Sequence, residues 1–186
     1  MIKIGITGSL ASGKSTVAEI ISEKKYPIFN ADSIVKRLYK KKFFMNRLRK
    51  KFKFKSSPDL KKQIKIFIVN NKKNIKKIET FVHPFVRVEL KKFLKKKIKK
   101  AIFEIPLLLE SKLKKYFDII IFVAANKKIR LKRYILKGGE STLFEILDNH
   151  QIEPSKKIKL CDYVINNNKT FSVLKKSVRK LKTKYE

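Results

Sequence analysis

The order of segments predicts an α/β fold: a parallel sheet wound on both faces by helices. Three observations carry this expectation. The chain opens on a short apolar run, Ile4-Gly5-Ile6, that turns through a glycine-containing loop into a helical pattern. Further short apolar runs follow helix-length stretches, the clearest being Asp118-Ile119-Ile120-Ile121-Phe122-Val123, and such alternation is what parallel sheets require. At 186 residues the chain suffices for one such core with an insertion and is too short for two independent domains.

The loop after the first strand reads Gly8-Ser9-Leu10-Ala11-Ser12-Gly13-Lys14-Ser15, with a helix running on from Thr16. Strand, loop and helix in this order form a phosphate-binding loop. Gly8 and Gly13 can take backbone angles closed to residues with a Cβ, so the loop can wrap a phosphate and turn successive N–H groups inward. The helix start adds its positive dipole end. Lys14 supplies a mobile charge for the β- and γ-phosphates, and the Ser15 hydroxyl is placed to ligate Mg²⁺. Binding of a nucleoside triphosphate is therefore expected.

The rest of the chain follows in order. The first helix carries Val17, Ile20 and Ile21 on one face and ends at Glu23-Lys24-Lys25. Tyr26-Pro27-Ile28-Phe29 is a second strand, delivering Asn30-Ala31-Asp32 to the sheet edge where open α/β folds bind ligands. A helical pattern follows Asp32, so this carboxylate reads as a helix-capping group, a catalytic one, or both. Residues 38–77 are lysine-rich, mostly helical and too long for a simple crossover, whose whole unit takes about 30 residues. They read as an inserted helical substrate domain, broken near Ser56-Ser57-Pro58-Asp59, where Ser56 or Ser57 can cap a helix. Phe43, Phe44, Phe52, Phe54 and Phe67 are its expected core. Pro84 suits a first helical turn, which places His83 at a helix start as a hydrogen-bonding partner or a ligand contact.

A third strand, Ala101–Ile105, runs into the turn Pro106-Leu107-Leu108-Leu109-Glu110, and the run 118–123 is a fourth, buried on both faces. A basic helix from Asn126 to Lys137 contains Arg130 and Arg133 and ends at Gly138-Gly139, a pivot fitting a lid. Ser141-Thr142 can cap the next helix, Glu153–Leu160 makes a short one, Asp162–Asn166 is a fifth strand, and Phe171–Lys184 covers a sheet face. The expected division is a core of 1–37, 78–125 and 161–186, an acceptor-binding insertion of 38–77 and a lid of 126–160.

The formal charge of +34 invites a nucleic-acid reading, but only seven of the 49 basic residues are arginine, and the lysines are spread along the whole chain. Lysine is a solvated point charge at home on any exposed helix face, so the excess reads as surface. No paired acidic residues end an apolar strand, and there is no room for a motor's second domain, which weighs against a nucleic-acid-associated ATPase. No apolar run approaches the roughly 18 residues of a membrane span, and no leader-like segment precedes the first strand, so a soluble, cytoplasmic protein is expected. The single cysteine, Cys161, allows no internal disulfide or metal cluster and reads as a packed small residue. No internal repeats are found.

With these segments in place the chain resembles the dephospho-coenzyme A kinases. Gly5 through Thr16 is similar to that family's opening, Asn30-Ala31-Asp32 to its Asp-Ala-Asp motif, and His83-Pro84 with Arg87 to its His-Pro segment. Pro106–Glu110 resembles its Pro-Leu-Leu-Phe-Glu turn, Arg133 a lid arginine, and Gln151, Lys157, Asp162–Ile165 and Asn166-Asn167 its C-terminal signature.

The resemblance implies a P-loop kinase with a five-stranded parallel sheet, a helical substrate-binding insertion and a lid. It further implies transfer of the ATP γ-phosphoryl group to the ribose 3′-hydroxyl of dephospho-coenzyme A, with Mg²⁺. Asp32 would then take or orient the hydroxyl proton, Lys14 and Arg133 would neutralise charge, and Gly8, Ala11, Ser12, Gly13, Lys14, Ser15 and Thr16 would hold ATP, with Ser15 on the metal. His83, Arg87 and Glu110 would hold the acceptor. Asn30, Glu104 and Lys137 depart from the family pattern, where an Asp, an Asp and a second lid arginine are usual, so the base role rests on Asp32 alone. Partners are expected to be these small molecules, with neither membrane nor nucleic acid, and the chain is expected to be a monomer. The competing enzyme reading is a kinase of another small acceptor, a nucleoside or nucleoside monophosphate.

Overall fold

The computed structural model describes residues 1–56 and 59–184. The chain forms two compact units, Met1–Asn30 with Lys97–Glu186 and Ala31–Lys96.

The first unit is built on a sheet. Its strands are β1 (Ile2–Gly8), β2 (Ile28–Asn30), β3 (Lys100–Glu104), β4 (Ile119–Ala124) and β5 (Tyr163–Asn166). Among the described residues they make one sheet of order β2-β3-β1-β4-β5, with every pairing parallel. β1 lies in the middle and is buried on both faces from Ile4 to Gly8, as an interior parallel strand must be. Ile4 faces Ile102 on one side and Ile119 on the other, and Ile6 faces Glu104 and Ile121. β4 is also interior and is buried from Ile120 to Val123, as its continuous apolar run predicts. Chain order reverses across β1, and the crevice at the carboxyl ends of strands at such a reversal is where open sheets bind ligands.

Helices α1 (Lys14–Ser22) and α9 (Phe171–Lys182) close one face. Val17, Ala18 and Ile21 from α1 and Leu174, Val178 and Leu181 from α9 recur at three and four residues and bury against Ile4, Ile6, Ile102 and Ile121. Each fully buried aliphatic side chain contributes about 1.5–3 kcal/mol by leaving water. Between β4 and β5 run α6 (Lys127–Leu136), α7 (Ser141–His150) and α8 (Pro154–Ile158). Ser141 does not cap α7 from outside. Glu140 holds the N-cap position without a side-chain bond, because fully buried Phe144, whose amide bonds Glu140 O at 3.0 Å, sets the register.

The second unit comprises α2 (Ala31–Leu38), α3 (Lys42–Phe52), α4 (Leu60–Asn70) and α5 (Asn74–Leu94), and so takes in more than the stretch 38–77. Its core is aromatic. Phe44 is fully buried with ring centroids 5.4 Å from Tyr39, 5.5 Å from Phe81 and 5.1 Å from Phe85, while Phe67 packs on Phe52 and Phe54. Phe43, expected inside, is half exposed, since it neighbours Phe44 on α3 and two consecutive helical residues cannot both face inward. Asp59 occupies the N-cap position of α4; Ser56 lies too far ahead of it to cap, and Ser57 and Pro58 fall outside the described residues.

The expected helix start at Pro84 is replaced by a continuous helix through it. Pro84 sits in the middle of the 21 residues of α5. Proline there removes one backbone hydrogen bond at a cost of about 3 kcal/mol. Ile75, Ile78, Val82 and Leu90, buried on one face across the proline, offset that cost and carry the helix on. No helix among the described residues is long and apolar enough to cross a membrane.

Candidate active site

The loop at the carboxyl end of β1 is held in shape by its backbone and by distant side chains. Gly8 has φ +151° and Gly13, the N-cap of α1, has φ +96°. A Cβ on Gly8 would run into Val123 O, and one on Gly13 into Asn167 Nδ2, so the glycines serve close approach as well as conformation. Ala11 also takes the left-handed region, at φ +57°. The Ser12 amide donates to Ser9 O at 3.2 Å, while Asn167 Nδ2 donates to Ser12 O at 2.8 Å. With loop carbonyls engaged in this way, loop amides are left to face a phosphate.

Lys14 is buried and donates from Nζ to Gly8 O at 3.2 Å and Ser9 O at 2.9 Å. Its ammonium is thus kept over the loop, where a phosphate can draw it away. Ser12 Oγ is buried without a hydrogen-bond partner inside the same loop, a polar atom that a phosphate oxygen would satisfy. Thr16 is partly buried in the first turn of α1.

Ser15 Oγ donates to Glu104 Oε1 at 2.7 Å, and Asn30 Nδ2 donates to Glu104 Oε2. Glu104 ends β3 and is 3% exposed, and it stands in register with Ile6 of β1 and Asn30 of β2. A serine hydroxyl and a carboxylate side by side at the helix start are hard oxygen donors that suit Mg²⁺. Among the described residues no group of three His, Cys, Asp or Glu side chains converges as a metal cage, and Mg²⁺ ordinarily uses one or two protein oxygens with phosphates and waters. The residues fit the ion. Glu104 is not among the site residues expected from the sequence, where it stands only as a departure from the family's usual Asp. A single acid closing the apolar run Ala101-Ile102-Phe103 was the available signal.

Two arginines of α6 brace the loop. Arg133 donates from Nη1 to Ser12 O at 3.4 Å and from Nη2 to Asn167 O at 3.0 Å. Arg130, 4% exposed, donates to Leu10 O at 3.2 Å and Ala125 O at 3.0 Å and grips both carboxylate oxygens of Asp148 at 2.5 and 2.9 Å. Nothing in the sequence joins Arg130 to Asp148, which are paired by the packing of α6 on α7. Glu110 lies in the same unit, where its Oε1 is 2.5 Å from Lys157 Nζ.

The first unit therefore brings together Gly8, Ala11, Ser12, Gly13, Lys14, Ser15, Thr16 and Arg133. Asp32, His83 and Arg87 belong to the second unit. Asp32 is exposed in the first turn of α2, where the dipole favours its charge. His83 and Arg87 are one helical turn apart on α5, with Glu79 a turn before them. Burial pushes the His83 ring below its ordinary pKa, Glu79 opposes the shift, and Arg87 and Lys76 add to it. Burial likewise pushes the Cys161 thiol up, to about 11, which leaves it protonated and unreactive at neutral pH.

A parallel sheet of this order, with the loop entering α1 from the middle strand and a carboxylate closing the next, defines a P-loop kinase fold. Solved structures agree on the fold. TT1252 from Thermus thermophilus superposes with TM-score 0.78 at 24% identity over 100% of this chain and 98% of that one. The dephospho-CoA kinase from Campylobacter jejuni superposes with TM-score 0.63 at 23% identity over 98% and 96%. A shikimate kinase from Acinetobacter baumannii gives TM-score 0.60 at 13% identity over 100% and 96%.

The chain belongs to the dephospho-CoA kinase family, whose model (CoaE: Dephospho-CoA kinase) matches residues 2–172. It is 33% identical to the dephospho-CoA kinase of Fusobacterium nucleatum over 183 residues, covering 95% of each chain. With that of Rickettsia typhi it shares 32% over 188 residues, covering 97% of this chain and 96% of the relative.

Proposed function

We propose that this chain transfers the γ-phosphoryl group of ATP to the ribose 3′-hydroxyl of dephospho-coenzyme A, giving coenzyme A and ADP, in the cytoplasm. The observation that carries this reading is the pairing of Ser15 with Glu104 beside a complete phosphate loop, in a chain that matches the family along nearly its whole length. Phosphoryl transfer passes through a loose transition state, so positioning and charge stabilisation do most of the work. Loop amides and Lys14 hold the β- and γ-phosphates and neutralise charge as the bond to the leaving oxygen breaks. Ser15 and Glu104 would hold Mg²⁺, which would supply positive charge to offset that of the phosphates. Arg133 exchanges its loop carbonyl for a phosphate oxygen.

Asp32 accepts the proton of the 3′-hydroxyl as that oxygen attacks phosphorus, and His83 and Arg87 hold the acceptor. The helical unit 31–96 is the acceptor-binding part and 126–160 the lid. Glu110, its carboxylate taken by Lys157, serves the site from behind.

The test is an ADP-release assay over a panel of dephospho-coenzyme A, adenosine, cytidine monophosphate and shikimate. Release is expected with the first alone. Faster turnover of any other would replace this reading with a kinase of that acceptor.

A further inference from the structure

Lys157 is fully buried, with its ammonium 2.5 Å from Glu110 Oε1. A lysine is driven out of such a place unless a carboxylate meets it there, so the pair must form for α8 to pack as it does. Glu110 does more than neutralise Lys157. Its Oε1 also accepts the Ile152 amide at 3.2 Å, while Oε2 is buried and makes no hydrogen bond. Oε1 is therefore already engaged, and Oε2 has no surface exposed to solvent. Of the two groups that Glu110 holds, the Ile152 amide lies in the α7–α8 connection and the Lys157 ammonium belongs to α8.

That connection follows directly on the helix that carries Asp148, and Asp148 is the carboxylate gripped by Arg130. Arg130 donates to Leu10 O in the phosphate loop, and Arg133, one turn on, donates to Ser12 O and Asn167 O. A path thus runs from Glu110 by the Ile152 amide and the backbone of residues 148–152 to the Asp148–Arg130 pair and on to one loop carbonyl, Leu10 O. We propose that Glu110, through its ion pair with Lys157, is a positioning residue for the nucleotide loop and not a contact for the acceptor. The inference rests on the kinase reading above. Its physical basis is that loop amides face a phosphate only while the loop carbonyls are held away. A displacement near 1 Å at such a site costs on the order of 10²-fold in rate.

The test compares Glu110→Gln, Lys157→Met and the paired replacement E110M/K157M. The measurements are melting temperature, affinity for a fluorescent ATP analogue, and KM for each substrate. Lys157→Met alone leaves a carboxylate buried without its partner and is expected to have the lowest melting temperature. The paired replacement removes both charges and is expected to regain that temperature while weakening nucleotide affinity and raising the KM for ATP by about tenfold. Its acceptor KM is expected to stay within about twofold. Glu110→Gln keeps the shape and an acceptor for the Ile152 amide and is expected to weaken nucleotide affinity about threefold.

A paired variant with unchanged nucleotide affinity would reduce the pair to a structural one and overturn the proposal. So would a Glu110→Gln variant whose acceptor KM alone rises. Nucleotide affinity is read without any acceptor, so these results stand apart from failure of the unaltered chain to phosphorylate dephospho-coenzyme A, which would overturn the proposed function alone.

Discussion

In the sheet unit the polar side chains around the loop hold one another: Ser15 on Glu104, Asn167 on the Ser12 carbonyl, Arg130 on Asp148, Lys157 on Glu110. In the helical unit the groups most firmly packed are rings, with Phe44 at the centre of Tyr39, Phe81 and Phe85, while Asp32 and Arg87 are exposed. The same lysine-rich composition thus gives a fixed polar cradle in one unit and an apolar scaffold with charge on its surface in the other. The difference follows from the work proposed for each. A phosphate in flight needs donors that are already in place, because reorganising them during the reaction would add to the barrier. A unit that must admit and release a large acceptor needs a stable core and a surface that is not committed beforehand.

Removing a fixed group should therefore cost most. Lys14→Ala takes away the charge kept over the loop and should reduce ADP release by about 10³-fold; unchanged turnover would take the loop out of the mechanism. Next in size is Asp32→Asn in the helical unit. It should lower kcat by about 10²-fold and leave both ATP binding and melting temperature as they were. If activity and fold were lost together, Asp32 would be a helix-end stabiliser and the contrast between the units would weaken.

Glu104→Gln keeps the shape beside Ser15 but not the charge. A Mg²⁺ titration of ADP release should shift to about tenfold higher metal, and a curve that does not move would remove Glu104 from the ion's surroundings. The smallest effect concerns His83. Because burial lowers its pKa, the unfolded chain takes up a proton near the ordinary value of 6.5 before the folded one does. That contribution to stability is complete above this value and is lost as pH falls toward the folded pKa. Wild type should thus lose more melting temperature than His83→Gln between about pH 7.5 and about pH 5.5. Equal losses would show that the ring is not held neutral by its surroundings.

What could be read from the chain alone was whatever a local pattern encodes. The glycines and lysine of the loop announce themselves because the loop is one continuous stretch whose backbone angles demand those residue types. The run 119–123 reads as an interior strand because burial on both faces leaves no polar position. The motif resemblance singles out Arg133 as a lid arginine, and its side chain donates to Ser12 O in the structure.

The tertiary structure decided the rest, for one physical reason: a contact between residues far apart in sequence has no local signature. Glu104 meets Ser15 across 89 residues because β3 lies beside β1, and a lone acid at the end of an apolar run does not say which strand it will neighbour. Pro84 looked like a helix start by its own preference, but side chains buried on both sides of it outweigh one missing hydrogen bond and carry α5 straight through. Lys157 meets Glu110 only in the fold, since packing alone determines which buried charge another must neutralise.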